Sequence, residues 1–182
     1  MDGDGPTIAR LAAGYGRLLD ALAALACLIV LAMMLVICVD VLFRNAPLIP
    51  GFRGVPGANE ITEYALYLVT MLIAPWLLRQ GQHIRVDILL KALPRTLAWG
   101  MEWIGDLIGL ACCLYFVWYG TTVTLASYAA GSISIKTLVL PEWWLLAPMP
   151  IAFALFGIEF LFRMHRLAVG ERGARDEAVS AA

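Results

Sequence analysis

The sequence is poor in charged residues. Only 15% of its 182 residues are Asp, Glu, Lys or Arg, whereas soluble domains carry roughly a quarter. Hydrophobic residues make up 62% of the chain, and the mean hydropathy is +0.81. This composition excludes a water-soluble domain, and a net charge of −1 gives no indication of a nucleic-acid partner. The length leaves room for a few membrane spans joined by short connections.

Residues that carry catalytic or cofactor chemistry are also few. The two histidines, His83 and His165, lie at the edges of apolar runs, whereas a haem anchor needs axial ligands inside the helix bundle. All four cysteines fall within apolar runs without metal-site spacing, so we expect them to act as small hydrophobic side chains. The sequence has no nucleophile elbow, phosphate-binding loop or metalloprotease helix. We therefore expect neither an enzyme nor a cofactor or metal site.

Four apolar runs come close to or exceed the length of about 20 residues that crosses a bilayer. They predict an all-α integral membrane protein with four transmembrane helices, at about residues 19–43, 61–78, 98–126 and 142–163. Residues 1–182 would form a single membrane domain with a polar tail at 164–182. The first run is too long for the apolar part of a signal peptide and lacks a clear cleavage site, so we expect it to be retained.

The start of the second span carries two carboxylates. Asn59 is a good N-cap residue, and Glu60 and Glu63 fall in the first turn, where the helix dipole favours negative charge. A proton or sodium site is an alternative use of these carboxylates. Their position at the mouth of a helix favours capping and surface solvation instead. Pro75, near the end of the same span, is expected to kink it.

The third and fourth spans have features that predict shape and packing. Residues 107–135 are uncharged and end in a hydroxyl-rich segment, which indicates a helix that projects beyond the bilayer. Gly105 and Gly109 form a GxxxG step that permits close helix approach. Pro148 and Pro150 predict a kink or unwound turn at the start of the fourth span.

Acidic and basic side chains within the spans are expected to pair with each other. The pairs predicted from position and spacing are Glu102 and Asp106 with Lys91 or Arg95, and Glu159 with Arg163.

Lysine and arginine are divided unequally between the two sides of a four-span topology. The side of the N-terminus, the second loop and the C-terminus carries ten, and the other side carries three. The ten are Arg10, Arg17, Arg79, Arg85, Lys91, Arg95, Arg163, Arg166, Arg172 and Arg175, and the three are Arg44, Arg53 and Lys136. By the positive-inside rule both termini should be cytoplasmic.

The second loop has an amphipathic pattern. Between His83 and Arg95, apolar residues recur at i,i+4 spacing beside clustered positive charge, and Asp87 and Lys91 can pair along one helix. This mixture predicts a short helix lying in the cytoplasmic membrane interface, at 83–95, or packed against another protein at headgroup depth. The alternative is a basic loop that only fixes orientation, which explains the arginines but not the arrangement from His83 to Asp87.

Several motifs resemble the small membrane subunit (DctQ type) of tripartite ATP-independent periplasmic (TRAP) transporters. The most specific is Gly81-Gln82-His83-Ile84-Arg85-Val86-Asp87, within a polar run that begins at Arg79. The others are Asp40-Val41-Leu42-Phe43-Arg44 closing the first span, Asn59-Glu60 opening the second, and Leu140-Pro141-Glu142-Trp143 followed by Pro148 and Pro150. The similarity covers roughly residues 20 to 165. The sequence departs from the family pattern at Glu63, where a basic residue is common.

The resemblance implies a multi-pass protein of the bacterial inner membrane. Its partners would be a large multi-span permease, a periplasmic substrate-binding protein and membrane lipids. Such transporters import organic acids, usually with sodium, and the small subunit acts as a scaffold. Candidate interface residues are Glu60, Glu63, Arg79, His83, Arg85, Asp87, Lys91, Gly105 and Gly109.

Two other functions remain open at this point. One is the anchor subunit of a membrane oxidoreductase, which would need buried histidines. The other is an independent small carrier or channel. The sequence contains no internal repeat, so it lacks the inverted-repeat core of a self-sufficient transporter.

Overall fold

The computed structural model describes residues 5–45, 54–80 and 94–169. Helix α1 covers Gly5–Asn45, α2 covers Ala58–Arg79 and α3 covers Arg95–Ala130. A two-stranded hairpin follows, with β1 at Ile133–Ile135 and β2 at Val139–Pro141, and then α4 at Glu142–Leu146 and α5 at Pro148–Val169.

The prediction of four membrane-length helices is confirmed. The helical segments long and apolar enough to cross a bilayer are Arg10–Asn45, Ala58–Arg79, Thr96–Ala130 and Glu142–Val169. Most of the predicted interfacial helix at 83–95, including His83, Arg85, Asp87 and Lys91, lies outside the described residues. That helix therefore stays a prediction.

The start of α2 differs from the prediction. Asn59 is not the N-cap, because the helix already begins at Ala58 and its cap is Gly57, whose φ of 76° lies in the left-handed region. Glycine adopts this conformation without steric cost. The Gly57 carbonyl accepts the backbone N–H of Ile61 at 2.9 Å. Pro75 lies inside α2, which continues without interruption to Arg79.

The hydroxyl-rich end of the third apolar run does not continue as helix to residue 135. Helix α3 ends at Ala130 because Gly131 takes a left-handed φ of 62°, and Ser132 donates its N–H back to the Ser127 carbonyl at 3.2 Å. The chain then forms an antiparallel hairpin in which Ile133 pairs with Pro141, Ser134 with Leu140 and Ile135 with Val139. An all-α description therefore omits this element.

The prolines of the fourth apolar run divide it into two helices. Helix α4 ends at Leu146, and Pro148 is the first residue of α5. Proline is compatible with this position, because the first N–H of a helix has no partner within the helix and the fixed φ of proline is already helical. The Ala147 N–H still bonds to the Trp143 carbonyl at 2.9 Å. The interruption is confined to Ala147, whose backbone keeps a helical conformation (φ −57°, ψ −36°), so the predicted unwinding is small.

The helices pack in the order α1, α2, α5, α3, so α2 and α5 are central and α1 and α3 flank them. Phe116 of α3 stacks on Phe153 of α5 with ring centroids 4.6 Å apart. Gly109 of α3 lies against the Cζ end of the Phe160 ring on α5. Most large apolar side chains of α1 and α3 are exposed, as expected of surfaces that face lipid or another membrane protein.

We predict that leucine at Gly109 destabilises the isolated subunit, whereas leucine at Gly105 does not. A Cβ at Gly109 would meet the Phe160 ring, but one at Gly105 has nothing within 4 Å. Overpacking of this kind costs about 1–3 kcal/mol. Unfolding in mixed detergent micelles measures the difference, and equal stabilities of the two variants would contradict the close approach at Gly109.

Candidate functional site

Polar side chains of the bundle are concentrated in two layers about one hydrocarbon thickness apart. Helix α2 rises about 28 Å from Glu60 to Arg79, and α3 rises about 31 Å from Asp106 to Ser127, close to the roughly 30 Å of a bilayer core. We call the set at the Arg79 end the basic-end layer; it comprises Arg79, Asp106, Glu159, Arg163 and Arg166. The set at the other end, the hairpin layer, comprises Glu60, Glu63 and Lys136.

Glu159 is the centre of the basic-end layer. Its side chain is 0% exposed, yet it carries a carboxylate. Arg166, two turns later on α5, donates to Oε1 at 2.6 Å, and Arg79 at the end of α2 donates to Oε2 at 3.5 Å. Burying a carboxylate is expensive unless it is paired, so these two arginines make its position possible. The contact to Arg79 joins α2 to α5.

A second ion pair in this layer joins α3 to α5. Arg163 contacts Asp106 at 3.1 Å, and both side chains are buried. The sequence spacing had predicted Glu159 as the partner of Arg163. The structure instead pairs Glu159 with Arg79 and Arg166 and directs Arg163 to the neighbouring helix. The predicted pairing of Glu102 with Lys91 or Arg95 stays a prediction, because those two side chains lie outside the described part.

Arg79 also fastens α1 to the bundle. Its Nη2 donates to the Ala12 carbonyl at 3.1 Å, and its guanidinium lies 5.8 Å from the centre of the Tyr15 ring. Gly16 makes room for it, since a Cβ there would be 2.9 Å from Nη2. The Arg79 side chain is only 23% exposed, and its Nη1 and Nη2 both bond within the chain. Its contact with a partner subunit stays a prediction.

Glu60 in the hairpin layer caps the turn between the two strands. Its two carboxylate oxygens accept the backbone N–H groups of Thr137 and Leu138, each at 2.8 Å. Sequence reasoning assigned this residue to the capping of its own helix. The partner is instead a turn 77 residues away in the chain. The hairpin is thereby fixed to the start of α2.

Glu63 reinforces the same attachment. Lys136, in the hairpin turn, donates to its two oxygens at 3.0 and 3.1 Å. The hydrogen bond to Glu63 raises the pKa of Lys136 above its ordinary value, because the carboxylate favours the charged ammonium form. The Lys136 ammonium also lies 5.2 Å from the centre of the Tyr64 ring. The sequence analysis did not propose Lys136 as the partner of Glu63. The available signal was that Lys136 is one of only three Lys or Arg residues on that side of the predicted topology, with Arg44 and Arg53.

The two glycines of the GxxxG step do not act together inside the chain. Gly109 packs against Phe160, whereas Gly105 faces open space one turn earlier. Gly105 is exposed on the outside of α3 and remains a candidate for contact with another protein.

The space between the layers is apolar in the described part of the chain. A groove of about 450 Å³ is lined by side chains of α1, α2, α4 and α5, among them Leu22, Leu68, Trp143 and Leu155, and no charged residue lines it. The hydroxyls of Thr70, Thr121 and Thr122 bond to carbonyls of their own helices. Residues 5–45, 54–80 and 94–169 contain no group of His, Cys, Asp or Glu able to hold a metal ion. The arrangement offers structural ion pairs at two depths and an apolar surface between them.

Comparison with known proteins gives one family. The family model described as "Tripartite ATP-independent periplasmic transporters, DctQ component" matches residues 33–170. This range includes α2, α3, the hairpin, α4 and α5 together with the last 13 residues of α1. A search of curated proteins found no match.

We predict that Glu159→Gln lowers the stability of the subunit far more than Glu63→Gln. The first change removes the buried carboxylate charge from Arg79 and Arg166. Their side chains are 23% and 43% exposed, so the cost should stay below the roughly 3–5 kcal/mol of a fully buried pair. The second breaks an ion pair whose members are exposed, and such pairs contribute little. Unfolding curves in mixed micelles decide this, and a Glu159→Gln variant as stable as the unmodified chain would argue against a central role for Glu159.

We also predict that Glu60 controls the order of the hairpin turn. In Glu60→Ala, the Thr137 and Leu138 amides lose their acceptor, so their hydrogen exchange should accelerate. Glu60→Gln keeps one acceptor oxygen and should have an intermediate effect. Mass-spectrometric hydrogen exchange over residues 133–141 measures both, and exchange that is unchanged in Glu60→Ala would contradict the assignment.

Proposed function

Because the chain belongs to the DctQ family of small membrane components of TRAP transporters, we propose that it is the scaffold subunit of such a transporter. This family works with a large permease and a periplasmic substrate-binding protein. In our proposal the permease carries the substrate and the coupling ion, and the small subunit holds the permease in the bilayer.

The main support for a scaffold role is where the charges lie. The charged side chains of the basic-end layer pair with one another at one end of the span; they are Arg79, Asp106, Glu159, Arg163 and Arg166. The groove between the layers has no charged lining. An organic anion can cross the hydrocarbon only along a continuous polar route. Without such a route, transfer of the anion into hydrocarbon costs many kcal/mol. The described helices provide rigid packing rather than such a route.

The substrate class and the coupling ion are further parts of the proposal. We infer import of an organic acid, coupled to sodium, from the resemblance of the Gly81–Asp87 motif and its companions to the family.

We further propose that both termini lie in the cytoplasm of a bacterium and that the hairpin faces the periplasm. The ten-to-three division of Lys and Arg supports this orientation. The segment with His83, Arg85, Asp87 and Lys91 would then lie on the cytoplasmic side. There it would contact anionic lipid headgroups or the permease.

The orientation can be measured with reporter fusions. A reporter active only in the cytoplasm should be active at residue 182, and one active only in the periplasm should be active in the hairpin turn at Thr137. Periplasmic activity at the C-terminus would contradict the four-span topology.

The scaffold role predicts that this chain transports nothing by itself. In liposomes, uptake of a labelled organic acid should require the permease, the small subunit and the binding protein, together with a sodium gradient. Omission of each protein in turn should reduce uptake to background. Accumulation with the small subunit as the only protein would refute the proposal in favour of an independent carrier.

A further inference from the structure

Helix α3 has an outward face that differs from the other exposed surfaces. We define the outer stripe of α3 by residues that recur at alternating spacings of four and three and are all exposed. They are Ile104, Ile108, Ala111, Tyr115, Trp118 and Thr122. The opposite side of the helix, with Gly109 and Cys113, faces α5. The stripe is therefore not used in packing within the described part of the chain.

Tyr115 and Trp118 of the stripe, and Tyr119 beside them, lie about halfway along α3 between the depths of the two polar layers. Measured along α3 from Asp106 in the basic-end layer, Tyr115 is about 13 Å and Tyr119 about 20 Å into a hydrocarbon core of roughly 30 Å. Tyrosine and tryptophan normally occupy the two interfaces of a membrane, where their polar atoms meet water and headgroups. At mid-depth neither water nor a headgroup is within reach of these polar atoms.

The hydroxyls of Tyr115 and Tyr119 form no hydrogen bond within residues 5–45, 54–80 and 94–169. Their rings contact each other at 4.5 Å between centroids, which preorganises them as a pair. Tyr115 is 57% and Trp118 is 73% exposed. A hydroxyl placed in hydrocarbon without an acceptor costs free energy, and lipid tails offer none. A protein partner with a suitable acceptor removes this cost.

The exposed surface of α1 provides the contrast. Between Ala21 and Val39 it contains no Tyr or Trp, and its large exposed side chains, such as Leu28, Leu31 and Leu35, are aliphatic. Lipid tails solvate such a surface without penalty. The two flanking helices thus carry different chemistry at the same depth, and only α3 has polar atoms for a neighbour to satisfy.

We propose that the outer stripe of α3 is the surface on which a transmembrane helix of the large permease packs. The hydroxyls of Tyr115 and Tyr119 donate to acceptors on that helix, Trp118 is the aromatic anchor, and Ala111 allows close approach. This inference rests on the proposed function, and it specifies which helix face of the scaffold contacts the permease. Helix α1 faces lipid.

Photocrosslinking in the complete complex tests the assignment. A benzophenone amino acid replaces Trp118 in one variant and Leu28 in a matched control. Leu28 is 60% exposed and lies about as far from the Arg79 contact at Gly16 as Trp118 lies from Asp106. After irradiation in native membranes, position 118 should give a covalent product with the permease, and position 28 should not.

Conservative variants test the role of the hydroxyls. Tyr115→Phe/Tyr119→Phe keeps both rings and should lower the yield of copurified permease about threefold for each hydroxyl lost. Tyr128→Phe is the matched control, because this exposed tyrosine lies at the hairpin end of α3, where water and headgroups can bond to it. The control should leave the yield unchanged, and melting of the isolated subunit should be the same in all three proteins.

The outcomes separate this inference from the proposed function. A permease product at position 28 and none at 118 would overturn the assignment of α3 while leaving the scaffold role intact. Products at 118 with lipid only, or with a second copy of the chain, would also overturn it. If the unmodified subunit fails to copurify with a permease at all, the proposed function fails first.

Discussion

The architecture depends on one buried carboxylate. Glu159 has no exposed surface, and a charge in that position is tolerated only while Arg79 and Arg166 stay beside it. The contact to Arg79 fixes the depth of α2 relative to α5, and the same guanidinium reaches the Ala12 carbonyl of α1. The neighbouring pair of Asp106 and Arg163 fixes α3 in the same layer. Four helices are thus held at a common depth.

The hairpin supplies the second constraint, at the opposite end of the bundle. Glu60 binds the turn through two backbone N–H groups, so the connection from α3 to α5 is tied to the start of α2. Few large side chains are fully buried in the described part of the chain, Leu19, Pro75 and Glu159 among them. The polar attachments at the two ends therefore complement a thin apolar core, and the outer surfaces remain available to lipid and to a partner.

The lengths of the apolar runs predicted the four helices well. A segment that crosses the hydrocarbon core must satisfy its own backbone hydrogen bonds, and a helix of about 20 residues does so over the required thickness. Features set by tertiary contact were not predictable from the sequence. The alternation of serine and isoleucine at residues 132–135 is compatible with a strand, but four residues are too few to outweigh the long uncharged run before them. The left-handed Gly131 ends the helix there. The i,i+4 spacing favoured Arg163 as the partner of Glu159. In the folded chain α2 and α3 both pack against α5, so Glu159 pairs with Arg79 of α2 and Arg163 pairs with Asp106 of α3. The sequence placed Glu60 at the start of a helix. It could not show that Glu60 accepts the backbone N–H groups of Thr137 and Leu138, because that turn is far away in the sequence.

The central claim is that this chain is a lateral subunit whose function requires a larger membrane partner. Native mass spectrometry tests it most directly, on the chain expressed alone and together with a TRAP permease. The account predicts a 19.9 kDa monomer in the first case and a stable complex containing the permease in the second. A closed homo-oligomer of the chain alone, together with no association with the permease, would contradict it.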